Sequence, residues 1–242
     1  MNKKLPDWQI FTFDEVDSTN DVIKNYCTQS GKPVVVRALK QVAGRGRRGR
    51  KWISQKGNLF FSFAWEIDLR DLGMFVLISS LSLWQTLHLL NPRLKIEIKW
   101  PNDILIDGKK VSGMLLEKGP ENFMIAGIGV NVSQRPPESD VMYPTTSLSE
   151  SGVDISADDL MEKYLIKLSN NFALWQQGHI NDLRQEWLDA VKGVGKTIEV
   201  HQENVVIRGI FKGIDENAHL LLENEKGICQ IRAGDIFYIE SK

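Results

Sequence analysis

Cysteine is scarce in this chain: Cys27 and Cys229 are the only two in 242 residues, far apart and in no metal-ligand spacing. That argues against a disulfide framework and for free or buried thiols in a reducing compartment. No serine–histidine or cysteine–histidine set stands out, so nothing points to a covalent nucleophile. The N-terminus, MNKKLPDWQIF, has no apolar run behind its lysines and does not read as a secretory signal. Strong net charge is missing too: at −1 the whole molecule has no pull on polyanions. One segment, Leu72 to Pro92, lacks charge altogether. A run of about 20 apolar residues could span a bilayer, but Ser79, Ser80, Ser82, Gln85, Thr86 and His88 interrupt this one. We read it as a helix buried between protein layers, without a membrane role, in a cytoplasmic protein.

Acidic residues are absent between Asp21 and Glu66, whereas the same stretch holds ten lysines and arginines from Lys24 to Lys56. A near-neutral protein that gathers positive charge in one segment has a local anion site in prospect. Hydrophobic residues at 42% and charged residues at 25% are ordinary for a globular chain able to bury a sizeable core.

Along the chain, DSTNDVIKNYCTQSG reads as a loop entering a helix, with Val22, Ile23 and Tyr26 on one face and Gly31 as its stop. PVVVRAL and NLFFSFAWEI are predicted strands on either side of AGRGRRGRKW. In LKIEIKWPNDILI, Leu94, Ile96 and Ile98 alternate with charged residues until Pro101 stops the strand. Asp107-Gly108 marks a hairpin, followed by the strands KKVSGMLLEK and FMIAGIGVNV, then the proline-rich loop SQRPPESDVMYPTT. Ser156 caps a predicted helix running to about Gln177, and HINDLRQEWLDAV continues as another. Beyond Lys192 short β runs and glycine turns predict about 50 residues of antiparallel sheet, enough for a small closed barrel. The architecture is therefore α+β: a mixed domain over 1–190 and a small β-barrel over 191–242.

Four segments could carry chemistry. GRGRRGR at 44–50 combines glycines, which allow close backbone approach, with arginine forks that pair with carboxylate and phosphate. It can be a loop closing over an anionic ligand, an exposed basic loop or an RNA-binding patch; without GK[ST] it is no Walker loop. KWPND at 99–103 ends a strand at a proline and presents Lys99, Asn102 and Asp103, suited to phosphate and a hard cation such as Mg²⁺, or else makes a plain turn. In DGKKVSGMLLE, Lys110 follows the turn and Gly113 interrupts a strand, which marks a bulge, a ligand's approach or only a hairpin with surface lysines. GIGVNV lacks the third glycine of a dinucleotide fingerprint, but Gly127 and Gly129 leave room for a flat ligand and Asn131 adds a polar contact.

In this order, DSTN, QVAGRGRRGRKW, KWPND, KKVSGML and GIGVNV make the chain resemble the biotin–protein ligases, and the resemblance extends through the C-terminal β region. It implies a mixed-sheet biotin/lipoate ligase-like catalytic domain with an SH3-like C-terminal barrel. It implies that Ser18, Thr19 and Asn20 line the biotin ureido end and that Gln41 and Gly113 belong to the same biotin site. Arg45, Gly46 and Arg47 would contact biotin and its adenylate, with Gly44 as the hinge of their loop, and Lys110 would hold the biotin carboxylate and the adenylate phosphate. Arg50, Trp52, Lys99, Asn102 and Asn131 would face the nucleotide, Asn102 and Asp103 the Mg²⁺ carried with ATP. Arg45, Arg47 and Lys110 would carry catalysis by offsetting the charge of two reacting anions, and the loop Gly44 to Lys51 would order over the adenylate.

The implied partners are biotin, ATP and a biotin carboxyl carrier protein domain; a homodimer is left open. Some relatives carry an N-terminal DNA-binding domain, for which the 17 residues before Ser18 leave no room, so no DNA binding through such a domain is expected. A nucleic-acid module using GRGRRGR, and lipoate transfer on the same fold, are the rival readings.

Overall fold

The computed structural model describes residues 7–29, 31–68, 71–202 and 205–239. The N-terminal stretch 1–6 and the extreme ends of the two predicted domains lie outside the described residues. A seven-stranded sheet organises the larger part, in the order β1 (Gln9–Val16), β2 (Val34–Gln41), β3 (Leu59–Glu66), β7 (Phe123–Val130), β6 (Lys109–Lys118), β5 (Asp103–Ile106), β4 (Ile96–Lys99). Only β1 and β2 pair in parallel; every other neighbouring pair is antiparallel. The sheet is mixed, as expected, and QIFTFDEV adds an edge strand that the sequence reading did not contain.

Alternation along the central strands separates two faces. Phe61, Phe63, Met124, Ala126 and Ile128 join the main core, which three helices cover: α2 (Leu72–Leu90), α3 (Ala157–Gln176) and α4 (Ile180–Ala190). Full burial of one such large apolar side chain is worth about 1.5–3 kcal/mol over leaving it exposed. Ile23, Val34, Val36, Ala64 and Ile125 form a smaller cluster on the opposite face. There α1 (Thr19–Ile23) lies against β2 and β3 and leaves the rest of the face open.

The uncharged helix α2 is long and apolar enough to cross a membrane, yet it is the core helix that its sequence suggested. Its hydroxyls are satisfied within the fold. Ser79, Ser82 and Thr86 donate to the carbonyls four residues back, while Ser80 accepts from Trp187 Nε1 at 3.0 Å and Ser82 from Asn171 Nδ2 at 2.9 Å. Buried polar groups persist when paired in this way. Ser156 caps α3 as predicted, its hydroxyl accepting from Asp159 N at 3.0 Å.

One expectation needs correction. The helix predicted from the DSTN segment towards Gly31 lasts only from Thr19 to Ile23 and continues as turns. Ser18 stands at its N-cap without a capping side-chain bond.

The C-terminal part is a five-stranded antiparallel sheet in the order β11 (Gly227–Ile231), β10 (Leu220–Asn224), β9 (Val206–Ile214), β8 (Thr197–His201), β12 (Asp235–Tyr238). Its ladder stays open between β11 and β12 among the described residues. Its inner residues, among them Ile198, Val200, Phe211 and Ile236, are continuous with the main core. Trp100 Nε1 donates to Ala218 O at 3.3 Å, and Arg184 to Ile214 O, across the junction. This packing brings β12 beside the open face of the large sheet.

Candidate active site

A cavity of about 660 Å³ occupies that open face, walled by β6 and β7, the DSTN segment, the arginine loop, the 136–145 loop and Asp235 of β12. Such a volume suits a small-molecule site. Glycine makes the room. A Cβ at Gly127 would fall 2.1 Å from Asn20 Oδ1, and one at Gly129 would fall 2.3 Å from the Trp52 indole. Both glycines therefore let another side chain lie directly on the strand backbone.

One end of the cavity is neutral and densely hydrogen-bonded. Ser18, Thr19 and Asn20 are all at least 95% buried. Gln41 Oε1 accepts from Thr19 N at 2.9 Å and from Thr19 Oγ1 at 3.2 Å. Ser62 Oγ on β3 lies 2.7 Å from Thr19 Oγ1 and donates to Asn20 Oδ1 at 2.6 Å. Asn20 Nδ2 in turn reaches Glu117 Oε2 at 3.1 Å. This end offers fixed amides and hydroxyls and no free charge.

The other end is charged. Strict alternation along β6 would turn Lys110 away from Gly113, but the β5–β6 register shifts between Ile104 and Leu105. The bulge puts Val111 into the core and re-aims Lys110 to the cavity wall shared by Gly113 and Leu115. Backbone bonds to residues 144 and 146 fix it there, and its ammonium sits 2.7 Å from Asp103 Oδ1 and 5.6 Å from the centre of the Trp52 ring. Asn102 and Asn131 also line the wall, with their side-chain amides anchored on Met114 O and Thr146 O.

The arginine loop is a folded hairpin. Trp52 N donates to Gly44 O and Gly46 N to Arg50 O, Arg45 bridges Lys51, and a 3-10 turn covers Arg47–Gly49. Arg48 and Gly49 both have positive φ, a conformation natural for Gly49 and unusual for Arg48. Arg45 is clasped by Asp21 through a two-pronged contact at 2.7 and 2.8 Å and lies 3.6 Å from Glu117. The guanidinium holds the Asp21 carboxyl below its ordinary value, and the carboxylate raises that of Arg45. Arg47 is more deeply set, and burial pulls its pKa down against the opposing fields of Asp235 and Asp103.

Of the residues singled out in the sequence, all but two line this one cavity. Gly44 is not on the wall; it closes the base of the loop, where a Cβ would press within 2.9 Å of Trp52 O. Lys99 is not on the wall either. Its ammonium lies 4.5 Å from the centre of the Tyr143 ring, and burial lowers its pKa. Among the described residues no cluster of three or more His, Cys, Asp or Glu could hold a metal. Asp103 with Asn102 fits only an ion that arrives on nucleotide phosphates, since Mg²⁺ commonly takes one or two carboxylates and completes its shell with phosphate and water.

Several residues escaped the sequence reading: Ser62, Glu117, Asp21, Tyr143, Thr145 and Asp235. Ser62 had a faint signal, as the one hydroxyl in an otherwise apolar strand run. Trp52, Tyr143 and Thr145 line the cavity, and their polar atoms Nε1, Oη and Oγ1 are buried with no hydrogen-bond partner among the described residues.

Comparison with known proteins agrees with this layout. Residues 12–133, half of the chain, match the Biotin/lipoate A/B protein ligase family, and residues 193–238 match the Biotin protein ligase C terminal domain. The Biotin--[acetyl-CoA-carboxylase] ligase of Paracoccus denitrificans is 34% identical, over 92% of this chain and 97% of that protein. The Bifunctional ligase/repressor BirA of Salmonella typhimurium is 28% identical, over 98% of this chain and 76% of its own length. Among solved structures, the biotin protein ligase of Aquifex aeolicus in complex with biotin and ATP superposes with a TM-score of 0.81 at 30% identity, over 96% of this chain and 99% of that one. The chain belongs to the biotin/lipoate A/B protein ligase family and, within it, to the biotin–protein ligases.

Proposed function

We propose that this protein joins biotin to ATP as biotinyl-5′-AMP and then passes the biotinyl group to one lysine of a biotin carboxyl carrier protein domain. The observation that carries the reading is a single cavity with a neutral, hydrogen-bonded end and a cationic end, separated by a glycine-lined strip under Trp52. A ureido ring is neutral and directional and suits Thr19, Asn20 and Gln41. The valerate carboxylate then extends towards Lys110 and Arg47.

In the first step the carboxylate oxygen attacks the α-phosphorus, and the bond to pyrophosphate breaks. Two anions must meet, so the chain's contribution is opposite charge and fixed distance. Lys110 holds both the carboxylate and the α-phosphate, exchanging its partner Asp103 for substrate. Arg47 and Arg50 offset the phosphate chain, and Trp52 with Asn131 holds the adenosine. Mg²⁺ bound through the nucleotide phosphates, with Asp103 and Asn102 beside it, would neutralise further charge. In the second step the acceptor lysine amine attacks the mixed anhydride and AMP leaves. The arginine loop keeps water from the anhydride meanwhile.

We place the division between catalytic and C-terminal domains at residues 190 and 191, supported by the end of α4 at Ala190, and assign the protein to the cytoplasm, where ATP and carrier are available. Incubation with biotin, MgATP and a carrier domain tests the function: one acceptor lysine gains biotin as one AMP is released. Labelling by lipoate in place of biotin overturns it.

A further inference from the structure

Asp235 stands at the start of β12, on the C-terminal sheet, 185 or more residues from the loop it touches. Its carboxylate lies 3.0 Å from Arg48 NH1 and 3.8 Å from Arg47 NH1, and it also accepts from Arg50 NH2. Two backbone carbonyls beside it extend the contact: Gly234 O accepts from Arg47 at 3.2 Å and His201 O from Arg48 at 3.1 Å. The Asp235 side chain is only 13% exposed, whereas those of Arg48 and Arg50 are 35% and 37% exposed. A single well-buried carboxylate thus gathers three guanidinium groups from one seven-residue segment.

We infer that Asp235 is a positioning residue for the arginine loop: it fastens the Gly44–Lys51 hairpin to the C-terminal sheet and makes that sheet part of the active-site lid. Three like charges packed into one turn repel each other, and Arg48 adopts a left-handed backbone conformation, so the hairpin tip needs an external anchor. Asp235 supplies it while leaving an excess of positive charge towards the cavity. The hairpin base is held separately, by the Gly44–Trp52 backbone bond and the Arg45–Asp21 pair. Loss of Asp235 therefore frees the tip and spares the base. The consequence for catalysis rests on the ligase reading: a loosened tip admits water and lets the adenylate leave before the carrier arrives.

Limited trypsin digestion of the full chain without substrate tests the anchor. Opening and reclosing faster than cleavage makes the rate report the open population. Asp235→Asn removes charge-assisted bonds, and cleavage after Arg47, Arg48 and Arg50 should rise about tenfold. Asp235→Glu should restore most of the protection. Glu223→Gln, which removes the surface pair with Lys212 on the same sheet, should leave the rate unchanged. A double variant with Arg48→Gln should be cleaved at the remaining sites no faster than Asp235→Asn, because the two act through each other. Equal cleavage of wild type and Asp235→Asn overturns the anchor. If Asp235→Asn loses its circular dichroism signal, Arg48→Gln decides instead, and unchanged cleavage after Arg47 and Arg50 in that variant also overturns it.

With biotin and MgATP but no acceptor, the folded Asp235→Asn protein should release AMP several-fold faster than wild type, while its thermal midpoint stays close. Absence of any adenylate in wild type would count against the ligase reading and not against the anchor, which the protease arm judges alone.

Discussion

The two ends of the cavity solve different problems with different chemistry. At the DSTN end the polar groups are buried, neutral and already bonded to one another, so the shape of the acceptor–donor pattern is set before any ligand arrives. At the lysine–arginine end Lys110 is held by a carboxylate, Asp103, that a more highly charged ligand can displace, while Asp235 keeps the arginines of the loop in place. The first arrangement reads a molecule, and the second waits for charge. Recognition and electrostatic stabilisation are thus kept apart on one sheet face, and substitutions at the two ends should fail in different ways.

The largest effect should come from the charged end. Lys110→Met removes a cation aimed at the reacting oxygens, and adenylate formation should fall by about 10²–10³-fold. Single-turnover conversion of labelled ATP measures it. The loss should sit in the rate at saturating substrate. A variant that merely needs more biotin and then reacts normally would erase the distinction between the ends.

Two glycines on β7 give the sharpest contrast. Gly127→Ala drives a methyl into Asn20 and Gly129→Ala drives one into Trp52, each costing about 1–3 kcal/mol of local repacking, or roughly 5–150-fold. The first should raise the KM for biotin and the second mainly that for ATP. Similar effects of both on one substrate would mean that the cavity is not divided as drawn.

Ser62→Ala comes next. It strips Asn20 Oδ1 of a donor inside a buried network, and biotin affinity should weaken by about tenfold. Because that contact is the same before and during reaction, the turnover rate at saturation should hold. Titration calorimetry with biotin, paired with turnover at saturation, checks both halves.

The order of these effects also marks what was legible in the residues. Local signals were reliable: Ser156 caps its helix, and the uncharged run at Leu72 becomes the core helix. The motif segments converge because each already contained the donors and glycines the cavity uses. What could not be read were pairings between distant segments. β1 lies parallel to β2 along the sheet edge, and its half-exposed pattern resembles a loop until its neighbour is known. Asp235 shares no sequence pattern with the arginines it holds. Lys99 is a basic residue at the end of a strand, as expected, but the aromatic ring of Tyr143 takes it up. The bulge at Val111, not the spacing, decides that Lys110 faces the site.

The smallest effect should come from the clasp outside the neutral end. Asp21→Asn weakens the hold on Arg45, but Glu117 stays 3.6 Å from the guanidinium and the pair is half exposed, so tryptic cleavage after Arg45 should rise only about two- to threefold. Its pH dependence has a definite sign. Arg45 lowers the Asp21 pKa in the fold beneath its ordinary value of 3.8. A carboxyl with a depressed folded pKa stabilises the fold fully above its unfolded value, and that contribution disappears as pH falls through the folded one. The difference in thermal midpoint between wild type and Asp21→Asn should therefore be level from pH 6 to pH 9 and shrink only below about pH 4. A difference that vanished between pH 6 and pH 8 would show that Arg45 is held by something other than this carboxylate, and the clasp would have to be reassigned.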